Sequence, residues 1–409
     1  MQSERLVNKL SSKSAIIRSL TLNKLKKLER TNSSLIPRAS ANFINLNVHT
    51  KKSFSPYTPA LGAYMAYKSG ITLAGVCDYG SVGSVKEFQK SCLKLGIGYL
   101  GGVEFMLNDS VLGNFIASFY GINNKNASAF DSILQEFREI CKSKTQALTE
   151  RLNKKLKKFD IFIDYEKEVL PITESKKGGT VTLKHVYMAL SQKIIAKYGK
   201  GKQTADFLRN QMCLDMEECD YNLLCDANDP YYVYDLISTL RTRSKPVDDN
   251  ISYLSAKKVL EIALNQGLIC AYQYDKTPNW IVSEKEREKS VEQFKAEILQ
   301  AKELGFNAVC LCPKSLGLST VSAFCECAKQ NEMLVVFNEK TEYPRNRFDI
   351  VSVHDCKDYV EASAYAILGN AISILMNAED GMFTSKTLSK CPNFSERLGI
   401  FGGIGKRKV

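Results

Sequence analysis

The stretch from Phe43 to Leu107 limits the folds open to this chain more than any other. Three short apolar runs alternate in it with two helical patterns. The first run, Phe43-Ile-Asn-Leu-Asn-Val-His49, alternates in polarity. The second, Ile71 to Cys77, is continuously apolar and ends in Asp78-Tyr79. The third, around Tyr99 to Phe105, carries Glu104. Pro59 sits where a helix start tolerates its missing N–H, and Gly70 closes that helix. Strand-helix-strand-helix-strand at this spacing predicts parallel βαβ units with right-handed crossovers. Ligands of such folds bind at the carboxyl ends of the strands, which makes His49, Asp78 and Glu104 the first residues to weigh.

The rest of the chain continues the theme with interruptions. Leu6, Leu10, Ile17, Leu20, Leu25 and Leu28 recur at helical spacing and predict one or two amphipathic helices within residues 1–40. Ser33 to Ala41, with Pro37, reads as the link into the first strand. After a strand at Asn114–Gly121, residues 125–245 read as a helical insertion, with a long charged helix from about Asn126 to Phe159 and Thr182 as an N-cap. Strand-and-helix alternation returns after Pro246. Strands are predicted at Leu268–Tyr274, Phe306–Cys312 and Met333–Phe337, and helices at Glu284–Leu304, Leu318–Gln330 and Asp358–Met376. The segments expected are therefore 1–40, a barrel in two parts over 41–124 and 246–380, the insertion at 125–245, and a loosely organised tail at 381–409.

Charge and cysteines bound the setting. The chain has 409 residues, 44% of them hydrophobic, and a formal charge of +12. Nine Lys/Arg against two Glu fall within residues 1–40, and Arg151-Leu-Asn-Lys-Lys-Leu-Lys-Lys158 forms a second basic run. Such runs attract nucleic acid or phosphorylated ligands, or are simply solvated helix faces; the absence of interleaved aromatics speaks against single-strand binding. Thirteen cysteines in a chain without an apolar leader read as reduced, mostly buried thiols of a cytoplasmic protein. No run approaches the roughly 18 apolar residues of a spanning helix, so no membrane partner is expected. Gly96-Ile-Gly-Tyr-Leu-Gly101 matches a dinucleotide fingerprint but follows a helix and precedes a strand, the reverse of what that motif needs. Cys310-Leu-Cys312 and Cys325-Glu-Cys327 lack zinc-knuckle spacing.

Asn-Leu-x-Val-His-Thr, then Ser53-Phe-Ser-Pro-Tyr-Thr-Pro59, then Asp78-Tyr-Gly-Ser-Val82, then Gly102-Val-Glu-Phe105 resembles the opening of a polymerase-and-histidinol-phosphatase (PHP) domain. The resemblance implies an α/β fold, a distorted (β/α)7 barrel with up to three divalent metals for phosphoester hydrolysis. Its motifs are His-x-His, Asp-His and a later Glu. His49, Asp78 and Glu104 match, whereas Asn47 and Tyr79 stand where the pattern has His. The resemblance also points to His185, after Thr-x-Lys, and to Glu339 as ligands of a manganese, iron or zinc centre. It marks Lys340 as standing in place of an acid and Asn370 as standing in place of a third His. A protonated lysine repels cations, and can instead fill the vacated charge position and hold a phosphate or the remaining carboxylates. Arg345 and Lys314 follow strand ends and are candidates to clamp a phosphate.

Two functions follow. The first is a metal-dependent phosphoesterase-like protein with an eroded centre, in which hydroxide on a metal attacks a phosphoester. The second is a pseudoenzyme whose barrel binds a phosphorylated small molecule, a protein or, through the basic N-terminus, nucleic acid.

Overall fold

The computed structural model describes residues 2–31, 38–40, 42–243, 252–274, 284–349 and 353–409. Most of the link expected at 33–41, and Pro246, lie outside them.

The strands are β1 (Phe43–Val48), β2 (Ile71–Tyr79), β3 (Gly98–Asp109), β4 (Gly113–Tyr120), β5 (Leu254–Ser255), β6 (Ile269–Gln273), β7 (Ala308–Leu311) and β8 (Leu334–Phe337). Their order in the sheet is β1-β2-β3-β4-β6-β7-β8, with β5 attached to the end of β3. β4 runs antiparallel to both neighbours and the other pairs are parallel. β1 and β8 approach each other without hydrogen bonding, so the sheet is a nearly closed, distorted seven-strand barrel with helices on its outside.

Period-two alternation sorts the side chains. Leu46, Leu73, Cys77, Leu100, Tyr120, Ile269, Ala271, Ala308, Cys310, Leu334 and Val336 fill the barrel. Ala74, Val76, Val103, Phe105, Val309 and Val335 point outward into the layer shared with the helices. The helical insertion has a core of its own, from Leu148 to Leu240, and Phe54 of the loop after β1 plugs into it. That loop is therefore held between barrel and insertion. Two N-terminal helices, Gln2–Lys9 and Ala15–Thr31, pack on the outside, where Thr58 Oγ1 donates to the Leu10 carbonyl at 2.6 Å.

Two expectations fail at the C-terminal end. Residues 381–409 are not loosely organised: Phe394–Lys406 is a helix capped by Asn393, whose side chain accepts from Glu396 N at 2.9 Å. In addition, the segment His354–Met376 is long and apolar enough to span a bilayer by length and composition. Here its helix, Lys357–Met376, packs between β8, β1 and the terminal helix and buries Ala364, Ala366, Ile367 and Leu368. The two helices cross at glycines. A Cβ on Gly405 would lie 2.0 Å from the Tyr365 carbonyl oxygen, and one on Gly369 would lie 1.9 Å from that of Phe401.

This crossing makes a prediction. Gly405→Ala should lower stability to urea by about 1–3 kcal/mol through overpacking. Gly403→Ala, on the same helix with nothing within 4 Å of the new methyl, should raise it by about 0.5–1 kcal/mol. Equal effects at the two positions would contradict the crossing.

Candidate functional site

The inward rows of the barrel end in polar side chains at the carboxyl ends of the strands. Leu100-x-Gly-x-Glu104, Ile269-x-Ala-x-Gln273 and Leu334-x-Val-x-Asn338 each place a polar residue in phase with the interior. Glu104 is fully buried and is the hub of this layer. Its Oε1 accepts from Lys340 Nζ at 2.6 Å, and its Oε2 accepts from Gln273 Nε2 at 2.7 Å and Asn47 Nδ2 at 3.3 Å. Gln273 also donates to Ser118 Oγ at 2.7 Å, and Asn47 Nδ2 donates to Asn338 Oδ1. Burial opposes ionisation of Glu104, but the Lys340 ammonium outweighs it and holds the carboxyl below its usual range. The same pairing holds Lys340 protonated: burial pulls it down and Glu104 pushes it further up.

Asp78 lies on the other parity, in phase with Ala74 and Val76, and so does not face Glu104. Its Oδ1 accepts from Thr50 N at 2.6 Å and Ser53 Oγ at 2.9 Å. Its Oδ2 accepts from Thr50 Oγ1 at 2.7 Å and from Ser84 Oγ. These four donors occupy the carboxylate and fasten the loop after β1 to the start of helix Val85–Leu95. Asp78 is thus a structural anchor.

His49 bridges the two carboxylates. Ser53 Oγ, which donates to Asp78, hydrogen-bonds His49 Nδ1 at 3.2 Å. Nε2 has no hydrogen-bond partner and lies 3.6 Å from Glu104 Oε1. Complete burial keeps the ring neutral by lowering its pKa. Asn47 Oδ1 and the Glu339 carboxylate oxygens are further buried acceptors without a hydrogen-bond partner, Glu339 Oε2 facing the Lys314 ammonium as an ion pair.

Above this floor opens a cavity of about 640 Å³. Phe54, Tyr79, Tyr253 and Tyr343 form aromatic walls, and Lys184, Arg241, Lys314, Lys340, Glu104, Glu339 and Glu342 supply the charge. Each carboxylate has an ammonium partner: Lys340 on Glu104, Lys314 on Glu339 and Lys184 on Glu342. Glu342 is half-buried, and desolvation would favour its neutral form, yet Lys184 holds its pKa well down; for Lys184 itself burial outweighs Glu342 and lowers the pKa. Arg241 has no carboxylate partner among the described residues.

Several sequence candidates lie elsewhere. His185 faces Phe54 at 5.1 Å and accepts from Thr182 N through Nδ1 at 3.0 Å, so it is the third residue of a capping box and not a ligand beside Glu104. Arg345 is held by Asp229 and Asp235 of the insertion, with Nε–Oδ1 of 2.7 Å to Asp235, and does not line the cavity. Asn370 lies at the opposite end of the barrel, where Nδ2 donates to the Gly267 carbonyl at 2.9 Å and Oδ1 accepts from Met382 N at 2.7 Å. It ties the final long helix to the start of β6. Lys314 and Glu339 are at the rim, bonded to each other. Gln273, Asn338, Lys184, Glu342 and Arg241 carry no motif. Gln273 and Asn338 do carry the strand-end signal that singled out Glu104, whereas nothing local in the sequence marks Arg241.

The donor set does not suit a divalent cation. Glu104 and Asp78 are engaged by an ammonium group or hydrogen-bond donors and Glu339 Oε2 is paired with Lys314, leaving His49 Nε2, Asn47 Oδ1 and Glu339 Oε1 as the buried atoms of the site without a partner among the described residues. Among the described residues, no three or more His, Cys, Asp or Glu are grouped to hold a metal.

No family model and no curated protein matches the sequence. Solved structures do match the fold. An amidohydrolase from Chromobacterium violaceum, described with bound sulfate and no metal, superposes with a TM-score of 0.53 at 14% identity, over 79% of this chain and 97% of its own. A candidate metal-dependent phosphoesterase from Bifidobacterium adolescentis superposes with a TM-score of 0.50 at 13% identity, over 79% and 96%. At these identities the likeness is one of fold alone.

The buried imidazoles set a pH dependence. His49 is depressed by burial, and His185 is lowered by burial and Lys184 to about 3, while both protonate near 6.5 in the unfolded chain. Below that pH the unfolded state binds more protons. Stability is thus fully present above about 6.5 and falls as pH drops toward 3, by at most about 1.4 kcal/mol per pH unit for each histidine. Urea midpoints should fall from pH 7.5 to 5, and His185→Gln, which keeps the cap acceptor, should flatten the slope. A midpoint constant over that range would contradict neutral buried histidines.

Proposed function

We propose that this barrel is a non-hydrolytic binding module for a phosphorylated small molecule, held in the cavity at the carboxyl ends of the strands. One observation carries the reading: among the described residues, every carboxylate facing the cavity already has a lysine partner, and one guanidinium, Arg241, faces it without a carboxylate partner. In the hydrolytic reading a metal would supply hydroxide near neutral pH, and its carboxylates must be open to the cation. Here ammonium groups take that place, and unlike a metal they cannot activate water. Four cations against three carboxylates leave the cavity wall positive by one charge. A guanidinium suits a phosphate monoester through paired N–H donors. The aromatic walls fit the organic part of such a ligand. The sulfate described in the Chromobacterium protein supports tetrahedral-anion binding by a barrel of this shape.

The competing reading, a residual metal-dependent phosphoesterase, must work from His49 Nε2, Asn47 Oδ1 and Glu339 Oε1. The test is calorimetric titration with sugar phosphates and nucleoside monophosphates, followed by product analysis with manganese added. The expected result is binding without turnover, weakened about tenfold or more by Arg241→Ala, in line with the roughly 1.5–3 kcal/mol of a hydrogen bond to a charged group. Turnover that requires manganese and disappears in His49→Ala would overturn it.

A further inference from the structure

A second surface lies on the outside of the barrel. Helices Ala15–Thr31 and Val85–Leu95 run side by side. The Arg18 guanidinium grips Glu87 with Nε–Oε1 of 2.6 Å and Nη2–Oε2 of 2.5 Å, and Lys94 Nζ donates to Ser19 Oγ at 2.6 Å. Leu22, Leu25, Phe88, Cys92 and Leu95 share the core beneath them. The outward faces are basic. Lys24, Lys27 and Arg30 on one helix and Lys86, Lys90 and Lys94 on the other are all exposed. The only carboxylates on these helices are spent: Glu87 on Arg18, and Glu29 on Lys26 and Tyr67. Among the cations stand bare aliphatics, with Ile16 73%, Leu20 55% and Leu93 63% exposed.

Solvent alone does not account for that combination, because six exposed cations solubilise a face without three large aliphatics projecting from it. Each candidate occupant makes its own demand. A second copy would set like charge against like. Single-stranded nucleic acid needs aromatic platforms, and duplexes are held through phosphates and need no aliphatics. An anionic bilayer needs both features, cations for the headgroups and aliphatic side chains to enter the acyl boundary. We infer that this face docks on an anionic membrane surface, away from the cavity and independently of its ligand. The expectation of no membrane partner rested on spanning segments, which do not bear on surface docking.

The test is co-sedimentation of the full chain with phosphatidylcholine vesicles, with and without phosphatidylserine, at low and high salt. Binding should require phosphatidylserine and weaken with salt. Lys24→Ala and Lys90→Ala should each weaken it about fivefold, and Leu20→Ser with Leu93→Ser about tenfold or more. These positions are exposed, so the variants should melt with the wild type. Failure to bind phosphatidylserine vesicles would overturn the inference. So would binding that ignores the two serine changes and is displaced by duplex nucleic acid, a result that assigns the face to a polyanion.

Discussion

The ion pair between Glu104 and Lys340 governs the chemistry of the barrel's carboxyl end. A fully buried carboxylate is tolerable only with a counter-charge and satisfied oxygens. Lys340 supplies the charge at 2.6 Å, and Gln273 and Asn47 satisfy the other oxygen. The network reaches the neutral His49 and, through Ser53, the Asp78 anchor of the loop after β1. A divalent cation in this layer would have to displace an ammonium that is covalently fixed and more strongly protonated than a free lysine. The lysine therefore occupies this layer sterically and electrostatically, and the proposed non-hydrolytic function rests on that.

The helical insertion shapes what lies above. Its core takes in Phe54, so the loop after β1 cannot move without disturbing the insertion. The same insertion contributes Lys184 and Arg241 to the cavity and engages Arg345 through Asp229 and Asp235. Barrel and insertion together make a charged, aromatic-walled cleft in which, among the described residues, each carboxylate has a lysine counter-charge.

Much of the fold was legible because its signals are local. Apolar runs ending in polar residues marked β1, β2 and β3, and Glu284–Leu304 and Leu318–Gln330 match the expected helices at both ends. The terminal helix was not legible, since Gly399, Gly402, Gly403 and Gly405 make it a poor helix former in isolation. What stabilises it is close packing on Lys357–Met376, which no local window reveals. At the site, His49, Glu104 and Lys340 were within reach through their strand-end positions. Parity separated Asp78 from them, because one residue of phase turns a strand side chain to the other face of the sheet. His185 and Asn370 illustrate a different limit: polar residues in plausible motifs were satisfied by backbone groups nearby, His185 at a helix start and Asn370 at the far end of the barrel. Arg241 enters the cavity only through the tertiary placement of the insertion.

The most direct measurement is metal content by elemental mass spectrometry, on wild type and on Lys340→Ala, grown with manganese, iron and zinc and purified without chelator. The account predicts wild-type protein essentially free of metal, and uptake only once the ammonium on Glu104 is removed. Near-stoichiometric metal in the wild type that is lost in His49→Ala would contradict it and return the barrel to hydrolytic chemistry.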